Sequence, residues 1–297
     1  MSMVSITYIW HDCFVVSTPV AVLVFDYWLD TDGGAAAHPA FLDITDRDKP
    51  LYVLVSHGHK DHFNPDIFSW AADFPNVHYI VSKDVMKRIR HVVSATSVYS
   101  GPKVSPSQVT ALRPGEEFSD GRVRVAAFPS TDIGNSYIVE CDGRRIFHAG
   151  DLNAWIWKDE STEQEVRKAL GDYRACLRDI SAWLKANPVS TVPEAMPPVQ
   201  GAAAPVQDAG RIDFCFFPVD SRIGTDYFTG ASIFVREFDV VRFFPMHFAL
   251  GDEEERRQRR ADALRFGRYA NPARGEYIPL ALPGSTYLCA DTNDFNS

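Results

Sequence analysis

Short apolar runs rich in β-branched and aromatic residues alternate along this chain with amphipathic stretches of helical period. Several of the runs, such as Leu51-Tyr52-Val53-Leu54-Val55, are apolar at every position, as expected of strands buried on both faces. Strands are predicted near residues 4–10, 13–18, 20–26, 51–55, 77–81, 122–128, 136–140, 144–148, 212–217, 240–245 and 285–290. Helices are predicted near 64–74, 83–92, 162–186, 230–238 and 252–266. The longest helix starts at a capping box within Ser161-Thr162-Glu163-Gln164. It repeats Val166, Leu170, Tyr173, Leu177, Ile180 and Leu184 along one face. Asn187 to Gly210 holds five prolines among alanines and small polar residues and predicts a loop, either a lid or disordered. The class is α/β, with one domain over 1–297 elaborated by a helix and loop at about 155–210.

The strand at 51–55 runs into His57-Gly58-His59-Lys60-Asp61-His62. Just past a strand end the backbone is still extended, so His57 and His59 project the same way, toward one ion. Asp61 and His62 fall where the chain turns and can face a second. Nitrogen and oxygen donors at this spacing suit two adjacent hard or borderline metal ions. Asn64-Pro65 supplies an N-cap and a first-turn proline, which places a helix N-terminus nearby. Two later strands can complete the group. Arg144 to Ala149 ends in Gly150-Asp151, whose carboxylate could bridge two ions, and Asp239 to Met246 delivers His247. Alone, Asp151 reads as a turn carboxylate and His247 as a packed histidine; their places at strand ends give them weight.

HxHxDH, then an Asp after a strand, then a late His after a strand resembles the layout of the metallo-β-lactamase fold hydrolases. Asp26, after the apolar strand Val20 to Val24, is similar to that family's early Asp, which orients ligands. Tyr8 to Phe14 and Phe147 to Asp151 are most similar to the branch of ascorbate-6-phosphate lactonase-like proteins. The resemblance covers nearly the whole chain outside about 155–210. It implies a four-layer αββα sandwich of two mixed β-sheets with metals at one edge. The implied ligands are His57, His59, Asp61, His62, Asp151 and His247, holding one or two divalent ions, zinc first and manganese or iron as alternatives. The implied activity is hydrolysis of a small ester, lactone or phosphoester by metal-bound hydroxide. Asp61 would orient the nucleophile, His148 or His11 would move a proton, and His11 could instead support the ligands from behind.

One departure stands out. In the turn Pro129 to Gly134 the family usually has a histidine, and here Thr131 takes its place. Asp132 could ligate instead and shift preference toward manganese or iron. Water could fill the gap, or only the second ion could be held. The same departure leaves open a degenerate metal- or ligand-binding protein without turnover.

Composition narrows the partners. The net charge is −9, from 30 basic and 39 acidic residues, with no basic stripe, which argues against nucleic acid. The arginines after Glu253-Glu254-Glu255 read as one salt-bridged helix face. No apolar run approaches transmembrane length, and the start of the chain is strand-like rather than leader-like. Five scattered cysteines without a CxxC pair read as reduced core thiols and point to the cytoplasm. A small-molecule substrate is expected. Trp155 could line its pocket, Arg222 could grip a phosphate or carboxylate, and Tyr227 could donate to an oxyanion. The alternative for Arg222 is a salt bridge to Asp220 or Asp226. The oligomeric state is left open.

Overall fold

The computed structural model describes residues 3–94, 96–157, 159–188, 210–267 and 275–290. All but the two ends of the expected 187–210 loop lies outside them. One seven-stranded sheet contains β1 (Met3–Trp10), β2 (Cys13–Ser17), β3 (Val22–Phe25), β4 (Leu51–Val55), β5 (Val77–Ser82), β6 (Val109–Leu112) and β16 (Thr286–Ala290). Its order is β16-β1-β2-β3-β4-β5-β6, with β3 to β6 parallel and the rest antiparallel. A second contains β7 (Glu117–Ser119), β8 (Val123–Pro129), β9 (Asn135–Cys141), β10 (Arg144–His148), β12 (Phe214–Pro218), β14 (Arg242–Met246) and β15 (Glu276–Tyr277). Its order is β15-β14-β12-β10-β9-β8-β7, parallel from β10 to β15. Apart from these, β11 (Arg211–Ile212) and β13 (Asp239–Val240) pair as a short parallel ribbon. The helices are α1 (Lys83–Val93), α2 (Glu163–Ala186), α3 (Thr229–Glu237) and α4 (Glu253–Phe266).

Side-chain alternation builds the layers. On β4, Leu51, Val53 and Val55 join the outer core with Val85, Ile89 and Val92 of α1 and with Ile67, Phe68 and Trp70 of a 3-10 helix. Tyr52 and Leu54, between them, point toward the second sheet. A strand covered on both faces has no position for a polar side chain, which is why this run is apolar throughout. Between the sheets Phe14 stacks on Phe216 with centroids 4.3 Å apart, and Phe244 lies 5.2 Å from the same ring. Tyr173, Leu177, Ile180 and Leu184 bury the inner face of α2 against the second sheet. The result is two mixed sheets face to face with helices outside each.

Local differences have local causes. The expected helix at 64–74 is the 3-10 helix Pro65–Ala72, still capped by Asn64 through the Asp66 N–H. The capping box of α2 is Thr162 with Glu165. β6, β7 and β15 went unanticipated because they are too short to establish an alternating pattern. No helix among the described residues is long and apolar enough to cross a membrane.

The ring of Phe216 is fully buried where the sheets meet. Phe216→Ala is expected to lower unfolding free energy by about 3–5 kcal/mol, read from urea denaturation. A loss below about 1 kcal/mol would contradict this placement of the core.

Candidate metal centre

Five parallel strands of the two sheets each deliver a polar residue to one edge. β3 ends at Asp26, β4 at Ser56 and His57, β10 just before Asp151, β12 before Asp220, and β14 at His247. Crevices at the carboxyl ends of parallel strands are the usual ligand sites of open α/β sheets. The β1–β2 turn adds His11 and Asp12, and the β8–β9 turn adds Thr131 and Asp132. Gly134, at φ 78°, lets that second turn close: a Cβ there would lie 2.2 Å from the Ser56 carbonyl oxygen. Among the described residues, four of the five non-glycine residues at positive φ, His11, Asp26, Trp155 and His247, surround the same point. Such backbone strain gathers where a structure holds side chains for a task.

Asp151 sits at the centre. Its Oδ2 lies 3.3 Å from His57 Nε2, while its Oδ1 lies 3.1 Å from both His62 Nε2 and His247 Nε2. On the first side His57 Nε2 and His59 Nδ1 are 3.0 Å apart, and Asp132 Oδ2 is 3.5 Å from His59 Nδ1. On the second, Asp61 Oδ2 is 3.9 Å and Asp12 Oδ2 3.3 Å from His62 Nε2. Donor atoms of His57, His59, Asp132 and Asp151 all lie within 4.8 Å of one another, as do those of Asp12, His62, Asp151 and His247. Thr131 turns away: its hydroxyl donates to the Asn153 carbonyl (2.7 Å) and accepts from the Asn153 N–H (3.0 Å). Its neighbour Asp132 is the one that faces the cluster.

A second ring of contacts fixes which nitrogen each imidazole presents. Asp26 accepts from the Ser56 N–H (2.7 Å), the Ser56 hydroxyl (2.6 Å) and His62 Nδ1 (2.9 Å). The Ser56 oxygen in turn accepts from His57 Nδ1 at 3.0 Å. Asp220 accepts from His247 Nδ1 at 2.9 Å. With Nδ1 protonated on His57, His62 and His247, the Nε2 lone pairs are left for the centre.

Those inward atoms are orphaned. His62 Nε2, His247 Nε2, Asp151 Oδ1 and both oxygens of Asp12 are buried without a hydrogen-bond partner. Buried polar atoms are rarely left so, because desolvation without a partner is costly. A cation among lone pairs answers every one of them, so the donor set fits divalent metal ions. Protonation is the substitute when no ion is there. Burial pulls the His247 imidazole down, but the Asp12 and Asp151 carboxylates carry it up to about 10. His62 is likewise depressed by burial and lifted well above its ordinary value by Asp151 and Asp12. Burial raises Asp151, yet His62 and His247 hold it well below the carboxylate range. Burial pushes Asp12 up to about 8 against the pull of His247 and His62.

Of the expected site residues, the structure brings His57, His59, Asp61, His62, Asp132, Asp151 and His247 together, with Asp26 and His11 behind or beside them. His148 and Tyr227 fall elsewhere than expected, and Arg222 takes its salt-bridge alternative. His148 is fully buried, with Nε2–H donating to the Asp12 carbonyl (2.9 Å) and Nδ1 accepting from the Gly150 N–H (3.2 Å). Both nitrogens are committed to backbone, so His148 positions the chain and does not move protons for a substrate. Tyr227 donates its hydroxyl to the Asp262 carbonyl at 2.9 Å, tying the segment before α3 to α4 instead of reaching the centre. Arg222 gives Nε and Nη2 to Asp220 at 2.5–3.0 Å, so it supports the carboxylate that holds His247. Trp155 lies beside the site, its ring 5.5 Å from that of His247 and its indole N–H on the Asp151 carbonyl (2.7 Å). Sequence reasoning missed Asp12, Ser56, Asp220 and Trp28, whose ring is 5.7 Å from that of His11. The available signal for Asp220 was its place directly after a buried strand.

The chain matches the Beta-lactamase superfamily domain over residues 23–217, a stretch that takes in the HxHxDH segment and Asp151 and ends before Asp220 and His247. A metal-dependent hydrolase of Pyrococcus furiosus is 26% identical over 161 residues, which are 53% of this chain and 64% of that protein. The match therefore spans less than two thirds of that relative's own length. Igni18, a metallo hydrolase from Ignicoccus hospitalis, has a similar structure, with a TM-score of 0.55 at 14% identity over 97% of this chain and 99% of its own. The metallo-β-lactamase fold protein YhfI of Bacillus subtilis gives a TM-score of 0.52 at 9% identity over 97% and 100%. At such identities the structural likeness speaks for the fold alone.

Metal uptake should release protons, since His62 and His247 are protonated in the metal-free centre at neutral pH and must be neutral to ligate. A group with a raised pKa keeps its proton below that pKa, so affinity should rise with pH from 6 toward the His247 value of about 10. Calorimetry in buffers of different ionisation enthalpy would read the release. Binding heats independent of buffer at pH 7 would contradict it.

Proposed function

Because the chain belongs to the β-lactamase superfamily, we propose that it is a metal-dependent hydrolase. His57, His59, Asp132 and Asp151 hold one divalent ion, and Asp61, His62, Asp151 and His247 hold a second. The observation that carries this reading is the carboxylate of Asp151, whose two oxygens serve the two halves separately. When bound, such a pair supplies Lewis acidity and brings the pKa of water toward neutrality.

The protein's own residues do the rest. Burial raises the Asp61 carboxyl, but His11 and His62 hold it below the carboxylate range, so it is ionised at neutral pH. It is part-exposed at the mouth of the centre, where it can orient an attacking water. His11 Nδ1 accepts from the Ala249 N–H (3.1 Å), so its neutral ring carries the proton on Nε2, 3.5 Å from Asp61 Oδ2. Burial above all lowers this imidazole to about 3, which keeps it a neutral donor and outside the ligand set. Its role is to fix Asp61. Trp28 and Trp155 flank the opening and would press a small substrate toward the centre while limiting water.

A small ester, lactone or phosphoester is the substrate class this reading favours. The Tyr8–Phe14 and Phe147–Asp151 segments support the lactonase-like branch in particular. The net charge of −9 supports a small-molecule substrate over nucleic acid, and five buried unpaired thiols support a reducing cytoplasm. Asp132 in place of an imidazole supports manganese or iron beside zinc, and supports turnover over a degenerate binding protein.

A panel of lactones, phosphodiesters and aryl esters tests the reading. Turnover should vanish with chelator and return with divalent metal. Asp61→Asn should lower kcat by about 10²–10⁴-fold while the first ion stays bound. Stoichiometric metal with no turnover of any substrate would instead favour a binding role.

A further inference from the structure

We propose that Asp12 is a further ligand of the second ion, joining Asp61, His62, Asp151 and His247 in a set of two imidazoles and three carboxylates. The proposal rests on the two-ion reading above and extends it to a residue on a different element, the β1–β2 turn.

Asp12 is fully buried, and neither carboxylate oxygen has a hydrogen-bond partner. A carboxylate that serves only as counter-ion to an imidazolium settles into a charge-assisted hydrogen bond of about 2.7–2.9 Å. Asp12 Oδ2 makes none. It stands 3.3 Å from both His11 Nε2 and His62 Nε2, and 3.8 Å from His247 Nε2. Neighbouring donors on a six-coordinate ion with bonds near 2.1 Å lie about 3 Å apart, so the spacing to His62 is that of atoms sharing a cation. His11 is not a competitor for the ion, since its Nε2 carries a proton.

The main chain fixes the carboxylate where it is. His11, at φ 54°, turns the hairpin, and its N–H donates to the Tyr8 hydroxyl at 2.9 Å. The Asp12 carbonyl accepts from His148 Nε2 at 2.9 Å. Asp12 therefore cannot swing out to water, and the buried His148 acquires a purpose in holding it. Asp132 plays the same part in the first half, a turn carboxylate joining His57, His59 and Asp151. Carboxylates suit hard ions, so Asp12 should narrow the usual advantage of Zn²⁺ over Mn²⁺.

The test is Mn²⁺ binding to the full chain, by calorimetry and electron paramagnetic resonance, in wild type, Asp12→Asn and His57→Ala. Wild type should bind two ions. Asp12→Asn should keep the first and bind the second at least tenfold more weakly, with the ratio of Zn²⁺ to Mn²⁺ affinity raised at that site. His57→Ala should lose the other ion. Unchanged affinity for the second Mn²⁺ in Asp12→Asn would overturn the proposal and leave the two-ion reading standing. A wild-type chain that binds no Mn²⁺ would overturn both. Asp12→Ser repeats the test should Asp12→Asn not fold, and failure of both to fold would assign Asp12 to the fold and reject it as a ligand.

Discussion

The bridging geometry of Asp151 is the constraint on which the rest of the molecule depends. One carboxylate can face His57 with one oxygen and His62 and His247 with the other only if the ends of β4, β10 and β14 meet at one rim. That demand accounts for the close approaches there. Gly134 packs against the Ser56 carbonyl, and Gly150, at φ 52°, lies where a Cβ would come 2.8 Å from the Ser56 Cβ. Larger residues at either point would hold the two sheets apart at the place where their side chains must converge.

The two halves of the centre are built alike but reached differently. Imidazoles are fixed by carboxylates and a hydroxyl behind them, Asp26 and Ser56 on one sheet and Asp220 with Arg222 on the other. Carboxylates come from turns: Asp132 from the β8–β9 connection and Asp12 from the β1–β2 hairpin. Rigid strand ends therefore set the nitrogen positions, and the turns set the negative charge. The clustered positive φ values and orphaned buried atoms belong to the same bargain, in which local stability is given up for a centre that a cation completes.

How far the sequence disclosed this depended on whether the information was local. The HxHxDH segment was legible because a strand end and three imidazoles fall within six residues, and the two-sided core was legible because strands such as 51–55 are apolar throughout. Asp151 and His247 gained meaning only from their order along the chain. Asp12 was opaque, since a carboxylate in a hairpin turn reads as a solvated turn residue, and only the fold shows that this turn points inward. The roles imagined for His148 and Tyr227 failed for the same reason, whereas Arg222 takes the salt bridge to its near neighbour Asp220 that its sequence context offered as the alternative. His148 and Tyr227 both lie near the right edge in sequence, while long-range partners, the Asp12 carbonyl and the Asp262 carbonyl, claim their polar atoms.

Crystals grown with Mn²⁺ and measured at an anomalous wavelength would test the bridging carboxylate most directly. Two peaks should flank Asp151, one against each oxygen at about 2.0–2.3 Å, with His57 and His59 on one and His62 and His247 on the other. A single peak on one oxygen, or density showing Asp151 turned out of the cluster, would contradict the assignment.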